Sequence, residues 1–319
     1  MSKLILIPLF VLSSFAGYCQ SSTKIFTSDI DNFWLAYDSV QSTTDSSKQV
    51  QFIRALYMDK ASDGLKDFMV SRQHSAQRHL RNIQKYPKFW SSLRPHTLQI
   101  KSYTPDIEKI MKRFKVLYPG FKQPGIYFTI GCLNSGGTTS PDKILIGSEI
   151  AASDGTVDAS ELNEWLQSVF KNNINVVSMV AHEAGHTQQK GGDAEDDGKS
   201  NLLGYCIREG ACDFIAELLL RKPVVSPYMI YGKAHERTLW NSFKKEMNGQ
   251  DTRNWLYNGS DAPGGHADLG YFMGYVICKS YYKNSPDKKQ ALKEIIELNY
   301  TKRNVKAFLL KSKYPGGGK

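Results

Sequence analysis

Hydrophobic positions fall into two textures along the chain. From residue 20 to about 120 they recur at helical spacing: Phe33, Trp34 and Tyr37 share one face, as do Phe52, Ile53 and Leu56. Ile107, Ile110, Met111, Phe114 and Leu117 form a longer stripe, with Thr104-Pro105-Asp106 as an N-cap and first-turn proline and Tyr118-Pro119-Gly120 as its end. The pattern predicts an N-terminal helical layer over residues 20–120. From Gly125 the texture changes. Ile126–Ile130 and Ile144–Ile146 are short β-branched or aromatic runs, separated by Asn134-Ser135-Gly136-Gly137 and Pro141-Asp142, and predict two strands with a glycine-rich turn between them. Helical spacing then returns over 160–170, where Leu162, Trp165, Leu166 and Val169 share a face behind Glu161 and Glu164. It continues from Ile174 to a stop at Gly191-Gly192, over 201–222, and again after Gly270. The expected fold is α+β and α-rich: one domain over 121–314 with a small sheet, preceded by the helical layer and followed by a disordered tail, 315–319. Neither an internal repeat nor a linker interrupts it.

The first nineteen residues stand apart. Lys3 precedes an apolar run from Leu4 to Ala16, then Gly17-Tyr18-Cys19-Gln20, which reads as a signal peptide over 1–19. The run is shorter than the ~20 residues a span requires, and no later stretch is long and charge-free enough to cross a bilayer. Export to the periplasm or beyond is expected, with simple cleavage near Cys19 preferred over lipid attachment, because Tyr18 stands where a lipoprotein signal needs a small residue. The net charge of +10 is spread along the chain rather than gathered. It favours acidic partners weakly, and no aromatic-basic nucleic-acid motif accompanies it. Cys132, Cys206, Cys212 and Cys278 lie beyond the signal without a CxxC pair, so a cysteine-based zinc site is not expected and free, buried thiols are. His74, His79 and His96 sit among Arg and Lys and read as surface residues.

The segment that carries chemistry is His182-Glu183-Ala184-Gly185-His186, behind the apolar lead-in from Ile174. Four residues of helix turn through about 400°, so His182 and His186 point the same way one turn apart and can grip a single divalent ion. Glu183 lies beside them as general base for water activated by that ion. A third ligand is needed. The metzincin continuation is missing, since Gln189 and Gly192 occupy its positions. The acidic run Asp193, Glu195, Asp196 and Asp197 follows at once but reads as a solvated loop. The helix over 201–222 places Glu209 and Asp213 on one face, 23 residues beyond His186. Glu209 is a candidate ligand there, and Asp213 can accept the remaining ring N–H of a ligating histidine. Gly210 and Ala211 leave room for the two helices to approach.

His182-Glu183-x-x-His186 followed by Glu209-Gly-Ala-x-Asp213 resembles the gluzincin metallopeptidases. Residues 126–282 are similar to secreted, predicted zinc-dependent protease families related to the gliding-motility lipoproteins. The resemblance implies a zincin-like domain with zinc (Zn2+) held by His182, His186 and Glu209, Glu183 as base and Asp213 behind a histidine. It leaves the helical N-terminal third unexplained. Such enzymes commonly pair an extended substrate with an edge strand, for which Ile144–Ile146 is the candidate. A donor for the developing oxyanion would come from a later helix: Tyr271 first, since related families carry a similar glycine-tyrosine segment, then His266, with Tyr275 on the same face as Tyr271. His235 and Arg208 read as structural, Arg208 pointing about 100° away from Glu209. The expected function is an exported zinc-dependent hydrolase acting on peptide or protein substrates, with possible cell-envelope association. The alternative is a non-catalytic envelope component of surface machinery that keeps the same fold.

Overall fold

The computed structural model describes residues 23–171, 175–191 and 198–316. Cys19, Ile174, the acidic run over 193–197 and the last three residues lie outside them. Strand β1 (Ile25–Phe26) is followed by helices α1 (Ser28–Gln41), α2 (Ser46–Ile53), α3 (Asp63–Ser71), α4 (Ala76–Lys85), α5 (Pro87–Leu98) and α6 (Thr104–Leu117). Asp45, Ser62 and Ser75 cap α2, α3 and α4 through their side chains. Thr104 is itself helical rather than a cap, because a 3₁₀ turn over Gln99–Tyr103 runs directly into α6.

β1 pairs in parallel with β2 (Gly125–Thr129), so the helical layer is the crossover between two neighbouring strands. Its core is therefore continuous with that of the sheet: Phe33, Trp34, Phe89, Trp90 and Phe114 join Ile126, Phe128, Ile144 and Ile146 in one buried cluster. β3 (Gly137–Ser140) and β4 (Lys143–Gly147) complete a mixed four-stranded sheet in the order β1-β2-β4-β3. β4 runs parallel to β2 and antiparallel to β3, and is thus interior. This corrects the expected edge. The glycine-rich segment taken for a turn supplies the edge strand from Gly137 on; the chain reverses before it over 130–136, Leu133 at φ 57°, and again at Pro141-Asp142, Asp142 at φ 58°. Gly137 reads as turn chemistry, but its use is close approach: a Cβ there would lie 2.5 Å from Glu183 Oε1.

Helices α7 (Ser148–Ala151) and α8 (Glu164–Lys171) follow. α8 starts four residues later than its apolar spacing suggested, because Glu161 is used elsewhere: its carboxylate accepts the N–H groups of Lys88 (2.9 Å) and Phe89 (3.1 Å) at the start of α5. Asn163 starts α8 instead, accepting the Leu166 N–H at 2.9 Å.

The remaining helices are α9 (Val176–Gln188), α10 (Leu202–Leu220), α11 (Pro227–Glu246), α12 (Leu269–Asn284), α13 (Lys288–Ile296) and α14 (Lys302–Ser312). α10 is the central element. Its Ile215, Ala216 and Leu219 join the first core, while Leu203, Cys206, Ile207 and Phe214 join a second one with Phe243, Phe272, Met273, Ile277 and Phe308. A helix that is apolar on nearly every side belongs in the interior. Gly210, expected to admit the metal helix, faces α12 instead: a Cβ there would lie 2.0 Å from the Tyr275 backbone nitrogen. α9 approaches α10 through Gly185, where a Cβ would lie 3.1 Å from Cys212 Cα. Gly316 seats against the Trp240 indole, so the chain is packed one residue past Pro315. Among the described residues no helix is long and apolar enough to cross a membrane.

Candidate metal centre

Asn175 starts α9, its side chain accepting the N–H groups of Val177 and Ser178. The helix carries His182 and His186 on one side, and α10 brings Glu209 and Asp213 opposite them. The three inner atoms converge: His182 Nε2 to His186 Nε2 is 3.1 Å, His186 Nε2 to Glu209 Oε2 is 3.1 Å, and His182 Nε2 to Glu209 Oε2 is 3.7 Å. Donors about 2.0–2.1 Å from a tetrahedral ion would stand about 3.3 Å apart, so the spacing fits zinc.

The outer nitrogens fix the chemistry of the inner ones. Asp213 Oδ1 lies 2.8 Å from His182 Nδ1, and Asp213 Oδ2 accepts from the Tyr228 hydroxyl at 3.1 Å. Gln189 Oε1 lies 2.9 Å from His186 Nδ1, while its amide nitrogen donates to the Arg208 carbonyl at 2.7 Å. With each Nδ1 donating outward, both Nε2 atoms present lone pairs to each other and to the Glu209 carboxylate. Such a set suits a cation. Burial opposes protonation of His182, but Asp213 outweighs it and holds the pKa well above the ordinary value. Burial likewise works against the charge of Glu209, yet His186 and His182, with Arg208 beside them, hold its carboxyl well below the usual range. Cys212 Sγ stands within 4.8 Å of the histidine nitrogens and adds a softer donor beneath them.

Glu183 is buried under the edge strand, against Gly137. Burial raises its pKa, partly offset by His186 and His182. The Tyr271 ring stacks on His182 at 6.1 Å between centroids and sits beside Tyr228 at 5.3 Å. His266 is exposed and stacks on Tyr231 at 3.6 Å rather than on the histidine pair, and Tyr275 donates to Glu217. His235 also stacks on Tyr231, at a kink in α11.

Four participants escaped the sequence reading: Tyr228, which donates to Asp213, and three others. Gln189 ends α9 at Gln188, before the glycine stop, because its side chain ties His186 to α10. Tyr257, at φ 57°, donates to Glu209 Oε1 at 2.9 Å. Arg208, expected to point away, reaches back along its own length to Glu209 Oε1 at 2.8 Å. Two of the surface histidines are buried instead: His74 and His79 lie under aromatic rings, and burial pushes their pKa down to about 4 and about 3. The four described cysteines form no disulfide among the described residues and are buried.

Fold and site together define a helix-rich α+β protein in which two half-buried histidines and a buried glutamate converge. Residues 20–316 match the gliding motility protein GldB family, and the chain belongs to that family. No curated protein and no solved structure matches it. The family is one of lipoproteins, which fits the expected envelope location and removes the preference for simple cleavage over lipid attachment at Cys19. The family description names motility, not proteolysis.

Proposed function

We propose that the protein is a cell-envelope component of gliding machinery whose α9–α10 centre binds zinc and hydrolyses peptide bonds. The observation that supports this most is the donor set, in which acceptors alone converge while both outer ring nitrogens are already engaged. His182, His186 and Glu209 would hold the ion, with Asp213 and Gln189 fixing the rings. Zinc, when bound, supplies a Lewis acid that polarises a carbonyl and acidifies water. Glu183 takes a proton from the attacking water and passes it to the leaving nitrogen. The free edge of β3 runs over Glu183 and can pair with an extended substrate backbone. Tyr257 and Tyr271 are the hydroxyls nearest at hand for the developing negative charge.

A second reading, a non-catalytic envelope component that keeps the centre for stability, is favoured by the family match. Metal analysis and a peptide-library assay on the protein from residue 20 separate the two. One zinc equivalent should disappear in Glu209→Ala, and Glu183→Gln should keep its zinc while turnover falls about 10²–10⁴-fold. Zinc without turnover would leave the second reading standing. A zinc content that Glu209→Ala does not change would remove the centre altogether.

A further inference from the structure

A second cluster of metal-ligating side chains lies outside that centre. His74 sits in the turn between α3 and α4, His79 in α4, and Cys132 just past β2. One ligating atom from each lies within 4.8 Å of the others, and the three residues are 9%, 1% and 4% exposed. No ring nitrogen of His74 or His79 has a hydrogen-bond partner of ordinary geometry. Asn134 approaches His74, but its amide is turned to the Arg72 carbonyl. The two rings stand edge to face at 5.5 Å, walled by Phe68 at 5.0 Å from His74 and Tyr57 at 5.4 Å from His79.

An unpartnered buried polar atom is costly, about 1–3 kcal/mol each, and an apolar ring would fill the same space without that cost. Metal ligation would give two imidazoles and a thiol a common partner, beside the approaches of Asn134 to His74 and of Asn82 to Cys132. The charges agree. Glu149 is fully buried, oriented by the N–H groups of Gly131 (2.8 Å) and Leu133 (3.1 Å), and among the described residues no Lys or Arg pairs with it. Its Oε1 and His74 Cε1 flank the same face of Gly131, where a Cβ would lie 2.6 Å and 3.3 Å from them. The charge of a divalent ion would be offset by one thiolate ligand and by this carboxylate, while Arg72 and Arg78 nearby add positive charge.

We propose that His74, His79 and Cys132 form a second, buried metal site for a borderline-soft ion of the zinc class, with Glu149 as the adjacent balancing charge. Two nitrogens and a sulfur select zinc over the hard cations. Its three ligands are buried, which keeps the ion from an outside substrate, and its role is structural: it ties the turn before α4 to residues 130–133, which lead into the edge strand over Glu183. The inference does not depend on hydrolysis at the α9–α10 centre.

The test is metal content and the near-ultraviolet thiolate-to-cobalt charge-transfer band of the purified protein loaded with Zn2+ or Co2+. Cys132→Ser should lose one metal equivalent and the band, whatever the count at the other centre, while Glu209→Ala keeps the band. If Cys132→Ser does not fold, His79→Phe fills the same space and should lose the same equivalent. A parent without the band would overturn the proposal, as would a band that survives Cys132→Ser or His79→Phe but disappears in Cys212→Ser.

Discussion

At the α9–α10 centre each outer ring nitrogen has a partner: Asp213 from α10 for His182, and Gln189, the residue that ends α9, for His186. In the N-terminal cluster the ring nitrogens have none of ordinary geometry. The first site is prepared for an ion, because its rings are oriented by hydrogen bonds that do not require one. The second has only packing to hold it, so its rings depend on the ion for their polar contacts. Removal of metal should therefore loosen residues 130–133 more than it loosens α9.

The sharpest way to break the comparison is to damage one site through its packing alone. Gly210 adjoins Glu209 and lies against the backbone of α12, where a Cβ would meet the Tyr275 nitrogen at 2.0 Å. Neither neighbour is a flexible side chain that can swing aside. Gly210→Ala is therefore expected to destabilise the fold by about 3 kcal/mol, at the upper end of overpacking costs, and to weaken the ion held by Glu209. The Cys132-dependent ion should persist. Thermal melting with metal analysis checks both, and an unchanged melting temperature would show that α10 and α12 can separate without loss.

A milder test removes one orienting charge. Asp213→Asn keeps an oxygen for the His182 ring but takes away the carboxylate that makes the ring basic. Affinity at the α9–α10 centre is expected to fall about 10–100-fold, read by competition with a chelator, with fold stability nearly unchanged. No change in affinity would mean that Asp213 serves Tyr228 and the packing of α11 rather than the metal.

The two sites also differ in how much of them the sequence discloses. His182, His186, Glu209 and Asp213 are legible because each pair repeats at four residues on one helix, a spacing fixed by helical geometry. Gln189, Tyr228 and Tyr257 reach the centre through tertiary packing, and only Gln189, three residues past His186, left a local signal. His74 and His79 read as surface because Arg72, Arg78 and Arg81 surround them in sequence. Their burial depends on Tyr57, Phe68 and Cys132, all placed by long-range packing. The helical layer was visible from periodicity, but its attachment to the sheet rests on β1, a two-residue strand too short to show a pattern. β3 was hidden for another reason: glycines chosen for close approach look like a turn.

The smallest effect concerns how the two halves are joined. Glu297, just after α13, accepts from Lys190 at 2.6 Å, from Lys293 at 2.5 Å and from the Tyr118 hydroxyl at 2.7 Å, linking the segments that end α6, α9 and α13. Hydrogen bonds from Lys190, Lys293 and Tyr118 pull its pKa down to about 2. A depressed carboxylate adds stability that is fully present above its ordinary value and is lost as pH falls through its folded one. Both lysines are largely exposed, so solvent screening limits the contribution. Glu297→Gln is expected to cost at most about 1 kcal/mol at neutral pH, less in high salt, and almost nothing as the pH approaches the folded value. Denaturant melts of parent and variant across that range give the difference directly. A cost that stays constant with pH and salt would mean that Glu297 acts through its shape, and that the N-terminal layer is held to the second core by packing alone.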